Sequence, residues 1–499
     1  MHPRYERGPH VYEATVRKEP PEDGENGTIA PTLAQVHRIR PLLQKPLKIL
    51  LYGINFAPEP TGIGRYTGEM AEWLARAGHD VRVLTALPYY PAWKISSEYK
   101  GKGYVKETWR GISVYRVPLW VPRNPGGAKR VVHLGSFAAT SLPVLARLAL
   151  WRPNLLWCAA PALAAAPAAS IFARLCGALS WLHVQDFEVD AAFNLGMLKS
   201  GPARTFALAA ERTVMRSFHR VSSISERMVQ RLQEKGVSPE RTVFFPNWVD
   251  TEQLRPIPKS TEFRRSLGIP DDAFVALYSG TMGAKQGLET LAETARRLSD
   301  QRDIHFIFCG EGKGREGLHG GASGLPRVHW LPLQPAEQLP ELLGTADLHL
   351  LPQQQGAADL VLPSKLTGML ASGRPVLATA DSGTELANWV ENCGAVVPPG
   401  DTVALAAKLQ ELAKDRDLCR RLGESARTRS VERLSRDSVL SRFRDELESV
   451  LAQKRARLFD PTRKRAQGRS FVGVEQLSEK APLGAPGGMG ADYSDGGRS

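Results

Sequence analysis

The sequence predicts an α/β protein built from two doubly wound parallel-sheet domains in tandem, with a cleft between them. Three observations lead there. Short Val/Ile/Leu-rich runs alternate with longer stretches of helical periodicity along most of the chain, the pattern of a parallel sheet covered on both faces. The alternation pauses in a Pro-rich stretch, Phe245–Pro258, and then resumes. The chain has 499 residues, 42% hydrophobic and 23% charged, which suits a soluble protein of two or three domains.

Residues 1–46 contain "EPPEDGENG" and little periodicity, so they read as a disordered extension. The first domain, 47–250, has candidate strands at Lys48–Tyr52, Val81–Thr85, Ile112–Val117, Leu155–Cys158, Trp181–Val184, Arg220–Ser223 and Thr242–Phe245. Its first helix repeats Tyr66, Met70, Trp73, Leu74 and Ala77 on one face, and Gly78 can end it. The second domain, 251–436, has candidate strands at Phe274–Tyr278, His305–Phe308, Val328–Trp330, Leu348–Leu351, Val376–Ala378 and Ala395–Val397. Helical patterns at Leu288–Leu298 and Thr402–Ala413 lie among them. A charged helix, 437–458, and a Gly-rich tail, 459–499, expected to be disordered, complete the chain. Leu155–Ala173 is uncharged for 19 residues. Its alanines contribute little transfer energy and Pro161 and Pro167 interrupt it, so it reads as strand, loop and packed helix, with a membrane span as the alternative.

The formal net charge is +13. Between Lys94 and Arg130 nine Lys/Arg face only Glu98 and Glu107, an excess that either forms a solvated face or attracts phosphates, anionic lipid or nucleic acid. Five widely spaced cysteines without a Cys-x-x-Cys read as free thiols in a reducing cytosol. The N-terminus shows no charged-then-apolar leader, so no signal peptide is expected.

Five motifs carry candidate chemistry. After the first strand come Gly62, Gly64 and Gly68. The third glycine is one residue late for a dinucleotide fingerprint, and the second strand ends in Thr85–Ala86–Leu87 with no acid for a ribose. The loop can still offer backbone N–H groups to an anion, or be a plain turn. "SGTMGAKQGLE" places Gly280, Gly283, Lys285 and Gly287 between strand and helix, where small residues admit a diphosphate and Lys285 neutralises it. It lacks the Gly-Lys-Ser/Thr order of a Walker motif. "CGEGKGRE" repeats the device with Gly310 and Gly312. In "LPSKLTGMLASGRPV", Ser364 sits at a cap position and Lys365 at a helix start, where a cation opposes the helix dipole and hints at an anionic ligand. Finally, His183, Gln185, Asp186, Glu188 and Asp190 cluster at the end of a strand, the edge that faces the ligand crevice in such folds. Their acids could hold a metal or serve as a general base.

Taken in order, "GINFAPEPTGIGRYTGEMAEWLARAGHDVRVLTALPYYPAW", "SGTMGAKQGLE", "LPSKLTGMLASGRPVLA" and "GTELANWVENCGAVVPPGD" resemble bacterial family 4 glycosyltransferases, in particular the branch assigned to colanic acid biosynthesis. The resemblance spans about 47–451. It implies a GT-B arrangement, two Rossmann-like domains facing a cleft. It also implies a retaining, metal-independent sugar transfer from a nucleotide sugar to a lipid-diphosphate-linked saccharide in exopolysaccharide biosynthesis. No cofactor and no nucleic acid are expected. The enzyme is expected to be cytoplasmic, peripherally attached to the inner membrane.

The resemblance places Gly62, Gly64, Gly280, Lys285, Gly310, Gly312, Ser364, Lys365 and Leu366 around the donor. His183, Asp186 and Glu188 lie on the acceptor side, and Lys285 and Asp186 are the expected catalytic residues, with no metal ligand. Two features depart from the family. The "SGTMGAK" loop lacks an Arg before its Lys, and Leu360 and Gly368 stand where two Glu residues are usual; Asp359 is the nearest acid. A non-catalytic anion or nucleic-acid binder and a GT-B sugar-nucleotide epimerase are the alternatives.

Overall fold

The computed structural model describes residues 46–59, 62–123, 126–160, 163–187, 202–283, 286–354 and 363–459, with backbone only at 127, 202–203 and 455–459. Contacts divide the chain at residue 45, and 46–499 forms a single unit. The expected extension, 1–46, lies outside the described residues except for Pro46, and so do the tail beyond Phe459 and Glu188, Asp190, Lys285, Asp359 and Leu360.

The first half runs β1 (Lys48–Tyr52), α1 (Gly62–Arg76), β2 (Asp80–Ala86), β3 (Val105–Trp109), β4 (Ile112–Val117), α2 (Gly127–Ala149), β5 (Leu155–Ala160), α3 (Ala166–Cys176), β6 (Leu179–Val184), α4 (Pro202–Arg216), β7 (Arg220–Ser223), α5 (Glu226–Glu234) and β8 (Thr242–Phe244). Its sheet has the order β3-β4-β2-β1-β5-β6-β7-β8. The pairs are parallel from β4 to β8, while β3 is antiparallel to β4. That edge hairpin turns at Arg110 and Gly111, both at positive φ, the backbone a tight two-residue hairpin needs. β5 and β6 are buried along their whole length, as strands with helices on both faces must be.

The second half runs α6 (Glu262–Ser266), β9 (Phe274–Ser279), α7 (Glu289–Arg297), β10 (Ile304–Cys309), α8 (Arg315–Ala322), β11 (Val328–Leu331), α9 (Leu339–Gly344), β12 (Leu348–Leu351), α10 (Lys365–Ala371), β13 (Val376–Thr379), α11 (Glu385–Val390), β14 (Gly394–Val397), α12 (Thr402–Lys414), α13 (Arg416–Leu434) and α14 (Arg436–Phe459). Its sheet is all parallel, in the order β11-β10-β9-β12-β13-β14. Two apolar clusters sandwich it, one around Val275, Leu277 and Trp389 and one around Phe274, Phe306 and Leu405.

The chain passes between the halves twice, at one place. Val249 N–H donates to Leu434 O at 2.9 Å and Arg436 N–H to Val249 O at 3.1 Å. α14 then packs on the first half: Phe443 is buried against Trp181 and Phe245, with ring centroids 4.7 and 5.3 Å away.

In 155–173 the uncharged stretch is strand, short turn and the start of α3, as the sequence suggested. The basic stretch is thinner than its count. Arg116 is buried and paired with Glu107 at 2.6 Å, and Arg110 pairs with Glu72 at 2.5 Å.

Candidate active site

In the second half, two loops leave the carboxyl ends of β9 and β10 and are hydrogen-bonded into one another. Gly280 N–H donates to Cys309 O, Met282 N–H to Glu311 O, and Gly314 N–H to Met282 O. This interlock requires glycine. Gly310 has φ +149°, and a Cβ there would lie 1.9 Å from Gly280 O; Gly312 has φ +144°, and a Cβ would lie 2.3 Å from Met282 O. Gly280 sits at φ +119°, which disfavours any side chain, and a Cβ there would lie 2.8 Å from Lys365 Cε, so the lysine would have to shift.

Lys365 opens α10 and lies back across this platform. Its Nζ donates to Tyr278 OH at 2.6 Å and Thr281 O at 3.0 Å, sits 3.4 Å from Gln286 Oε1, and rests 4.2 Å from the Tyr278 ring centre. These partners are all uncharged. Burial therefore pulls its pKa from 10.5 down to about 8, because among the described residues no carboxylate offsets the cost of desolvating the ammonium. A half-buried cation over a backbone cradle is built to meet an anion.

The neighbouring residues divide. Ser364 precedes α10 and is exposed, and its side chain makes no capping bond. Leu366, expected at the donor, is instead a core residue: it is fully buried and its N–H is spent on Pro363 O at 3.0 Å. Gly368 is buried, and a Cβ there would meet Leu343 and Leu254. Lys285 falls between described segments.

In the first half, the loop after β1 is held by a residue that the motif reading passed over. The Glu59 carboxylate is buried, accepting Asn55 Nδ2 at 2.9 Å and the N–H groups of Tyr89 and Tyr90 at 3.1 and 3.0 Å. Burial pushes this carboxyl up, against the pull of those donors and of Arg116. Arg116 in turn donates to Ala57 O at 2.6 Å. Glue of this kind ties the β1 loop to the "PYYP" loop after β2. No spacing signature marks a lone loop Glu; the only signal was a carboxylate among prolines and aromatics.

The opening glycines now have separate tasks. Gly62 turns the chain into α1 at φ +64°, beneath the half-exposed Tyr90 ring, 3.9 Å from where its Cβ would be. Gly64 faces inward, where a Cβ would meet Glu59 Oε2 at 3.0 Å, and Gly68 would meet Ala57 Cβ at 3.0 Å. The last two let α1 press against the Glu59 loop.

His183 is not on an acceptor surface. It lies within β6, buried between Trp157 (ring centroids 5.4 Å apart) and Phe245 (5.1 Å), with Nδ1 2.9 Å from Ser222 Oγ. Burial lowers its pKa to about 3, so it is a neutral core histidine. Asp186, two residues beyond β6, does reach solvent. Crowded surroundings still raise its carboxyl, and Arg130 at the start of α2 opposes that shift. Tyr89 also feels both Glu59 and Arg130. Asp186, Arg130, Tyr89 and Glu59 therefore share one region at the carboxyl edge of the first sheet.

The structure thus gathers Gly280, Gly310, Gly312 and Lys365 into one group and Gly62, Tyr90 and Glu59 into another, with Asp186 related to the second through the charge of Arg130. Elsewhere the halves touch. Glu385, opening α11, accepts the N–H groups of Glu226 and Arg227 at the start of α5, each at 2.9 Å. Beside it lies a cavity of about 500 Å³ bordered by Gln230, Trp389 and Arg433.

Comparison with known proteins agrees with this layout. Residues 61–248 match the model of a "Glycosyl transferase 4-like domain", and 259–429 match "Glycosyl transferases group 1". The chain is 40% identical over 414 residues, 80% of its length and 100% of the relative's, to WcaI of Escherichia coli (strain K12), described as a colanic acid biosynthesis glycosyl transferase. Two solved structures share its fold at low identity. Sucrose-phosphate synthase from Thermosynechococcus elongatus has a TM-score of 0.61 at 19% identity, covering 81% of this chain and 100% of that one. Anabaena Alr3699/HepE in complex with UDP has a TM-score of 0.60 at 16% identity, with the same coverage.

Proposed function

This chain belongs to the glycosyltransferases, in the GT-B fold, and from that premise we propose that it moves a sugar, with retention and without a metal ion, from a nucleotide-sugar donor to a lipid-diphosphate-linked saccharide in exopolysaccharide assembly. The donor's diphosphate lies on the interlocked Gly280–Gly310–Gly312 loops. The acceptor approaches from the Tyr90 and Asp186 side. The reaction then runs at the cytoplasmic face of a membrane.

The observation that carries this reading is Lys365, a desolvated ammonium whose partners among the described residues are all neutral, above a glycine-lined cradle. As the bond from the sugar's C1 to the phosphate oxygen breaks, its electron pair stays on that oxygen and charge grows there. Lys365, joined by Lys285, stabilises that charge, which is the task a metal performs elsewhere. The acceptor hydroxyl forms the new bond to C1 on the same face, and its proton passes to the departing phosphate oxygen. Asp186 orients the acceptor hydroxyl. WcaI's description supports the exopolysaccharide assignment, and the UDP bound to Alr3699/HepE supports a nucleotide donor.

The test begins with thermal shift of the purified chain against UDP-, GDP- and dTDP-sugars, since a ligand of the folded state raises the midpoint. The matching donor is then followed into product, with the anomeric configuration read by NMR. An inverted product removes the retaining mechanism. A donor converted to its own epimer, with no transfer, removes the transferase reading. Turnover that survives Lys365→Ala removes the site.

A further inference from the structure

α2 is a two-faced helix, and both faces are apolar. One face packs on the sheet: His133, Phe137, Ser141, Leu145 and Leu148 are buried, and Tyr52 OH lies 2.5 Å from Ser141 Oγ. The other carries Val131, Val132, Ala139, Leu142 and Ala146, at intervals of one, seven, three and four residues that keep them on one side of the helix, all exposed, Val131 at 68% and Leu142 at 52%. The polar residues between the faces are turned to local partners, Ser136 Oγ to His133 O and Thr140 Oγ1 to Pro118 O. The adjoining helix α3 repeats the pattern, with Ile171 exposed and Leu175 81% exposed. Together the two helices carry Lys129, Arg130, Arg147 and Arg174 and no acidic residue.

α2 is also the described helix long and apolar enough to cross a membrane. It does not cross one in this fold, because its inner face is part of the domain core. A helix held that way can only lie in the plane of an interface, with its outer face in the lipid and its cations at the headgroups. Two copies pressed face to face would set like charges against each other. An anionic lipid layer neutralises them.

We propose that the outward faces of α2 and α3 form the surface by which this protein lies on an anionic bilayer. The proposal rests on the reading of a membrane-borne acceptor and names where that membrane sits. It places the start of α2, with Arg130 beside Asp186, at the headgroup level from which a lipid diphosphate would enter.

The full chain is floated with phosphatidylcholine vesicles, with and without phosphatidylglycerol. The wild type is expected to float with the anionic vesicles, less so at high salt. Val131→Glu with Leu142→Glu is expected to lower the partition coefficient at least about tenfold, and Val131→Ser with Leu142→Ser to lower it by less. Leu333→Glu, an exposed leucine in the other half, is expected to change nothing. Retention of the donor-induced thermal shift shows that each variant is folded. Equal flotation of the Glu double variant, or no flotation of the wild type, overturns the surface. So does a wild-type dimer that the double variant breaks, which would assign the face to a second copy. Flotation without sugar transfer would sink the function and leave the surface standing; transfer without flotation would do the reverse.

Discussion

Replacing Lys365 with methionine should make the unliganded protein more stable and useless as a donor binder. The side chain keeps its length and its apolar stem but loses the ammonium. In the folded chain the lysine's pKa is about 8 instead of 10.5. At about 1.4 kcal/mol per pH unit, holding it charged below pH 8 costs on the order of 3 kcal/mol. Its bonds to Tyr278 OH and Thr281 O are lost too, but Tyr278 OH still donates to Thr281 O at 2.8 Å. The net gain at pH 7 is then about 1–2 kcal/mol, or a rise of about 2–8 °C in midpoint for a domain of this size.

The sign also fixes the pH dependence. Because the folded pKa is the lower one, the wild type's penalty is complete below pH 8 and fades as the pH climbs towards 10.5. The variant's advantage should fade across that same window. Thermal melts of both proteins at pH 7 and pH 10, with and without the matching nucleotide diphosphate, measure it. Destabilisation of Lys365→Met by the same amount at both pH values, or an intact ligand shift, would refute the reasoning.

Other outcomes follow from the same contacts. Gly310→Ala puts a methyl 1.9 Å from Gly280 O at φ +149° and should cost about 3 kcal/mol or more and weaken donor binding over tenfold, read by calorimetry. Glu59→Ala leaves two backbone N–H groups without an acceptor and should cost about 3 kcal/mol, while Glu59→Gln should cost less than about 1 kcal/mol because its amide oxygen still accepts them; equal losses in denaturant melts would count against the clamp. His183→Gln should lower the melting midpoint yet leave the acceptor KM and the pH profile of kcat/KM between pH 5 and 8 unchanged, since a histidine with a pKa of about 3 stays neutral there.

How far the sequence could be read depended on what each residue's neighbours were. Lys48–Tyr52 was legible because an apolar run between breakers can hardly be anything but a buried strand. Val105–Trp109 was not. "VKETW" mixes charge into an edge strand that half faces water, and its pairing depends on a turn at Arg110 and Gly111. The sequence analysis names no helix at α2, whose 23 residues include Gly135 and Pro143, both poor helix formers. Suspicion of a membrane span settled on 155–173 instead, whose first part is the buried strand β5.

His183 shows the limit for sites. The pattern placed it at a crevice edge, and β6 does end at Val184 as expected, but the rings of Trp157 on the neighbouring strand and of Phe245 after β8 seal it in. The glycine loops were legible as a cradle, since glycine before a helix has few other uses. That Lys365 would be pulled across Gly280 depends on chain geometry 85 residues apart, which no local motif carries.

The two candidate half-sites are built in opposite ways, and that difference bears on how they come together. The donor side is locked by backbone: its loops are hydrogen-bonded into one another and its glycines leave no slack. The acceptor side is held by side chains, Glu59 and Arg116 gripping two loops from beneath. It is tied to α2 through Tyr89, whose ring lies 4.8 Å from that of His133. The chain crosses between the halves at Val249 and again at Ser435, and these crossings pair with each other. A closing motion must pivot there, because both covalent connections pass through that point. α14, whose Phe443 and Glu446 are bound to Trp181 and Arg220, travels with the first half in such a motion. Trp73 and Trp248 lie close to the pivot, bonded to Asp437 at 2.9 Å and Glu69 at 2.6 Å, so these bonds can persist while the distant loops move. The Glu385 carboxylate joins the halves by the same crossing: it accepts two backbone N–H groups at the start of α5, and Arg433, one residue before the bond to Val249, pairs with Glu226 there at 3.8 Å, so this contact too belongs to the pivot rather than to the distant loops.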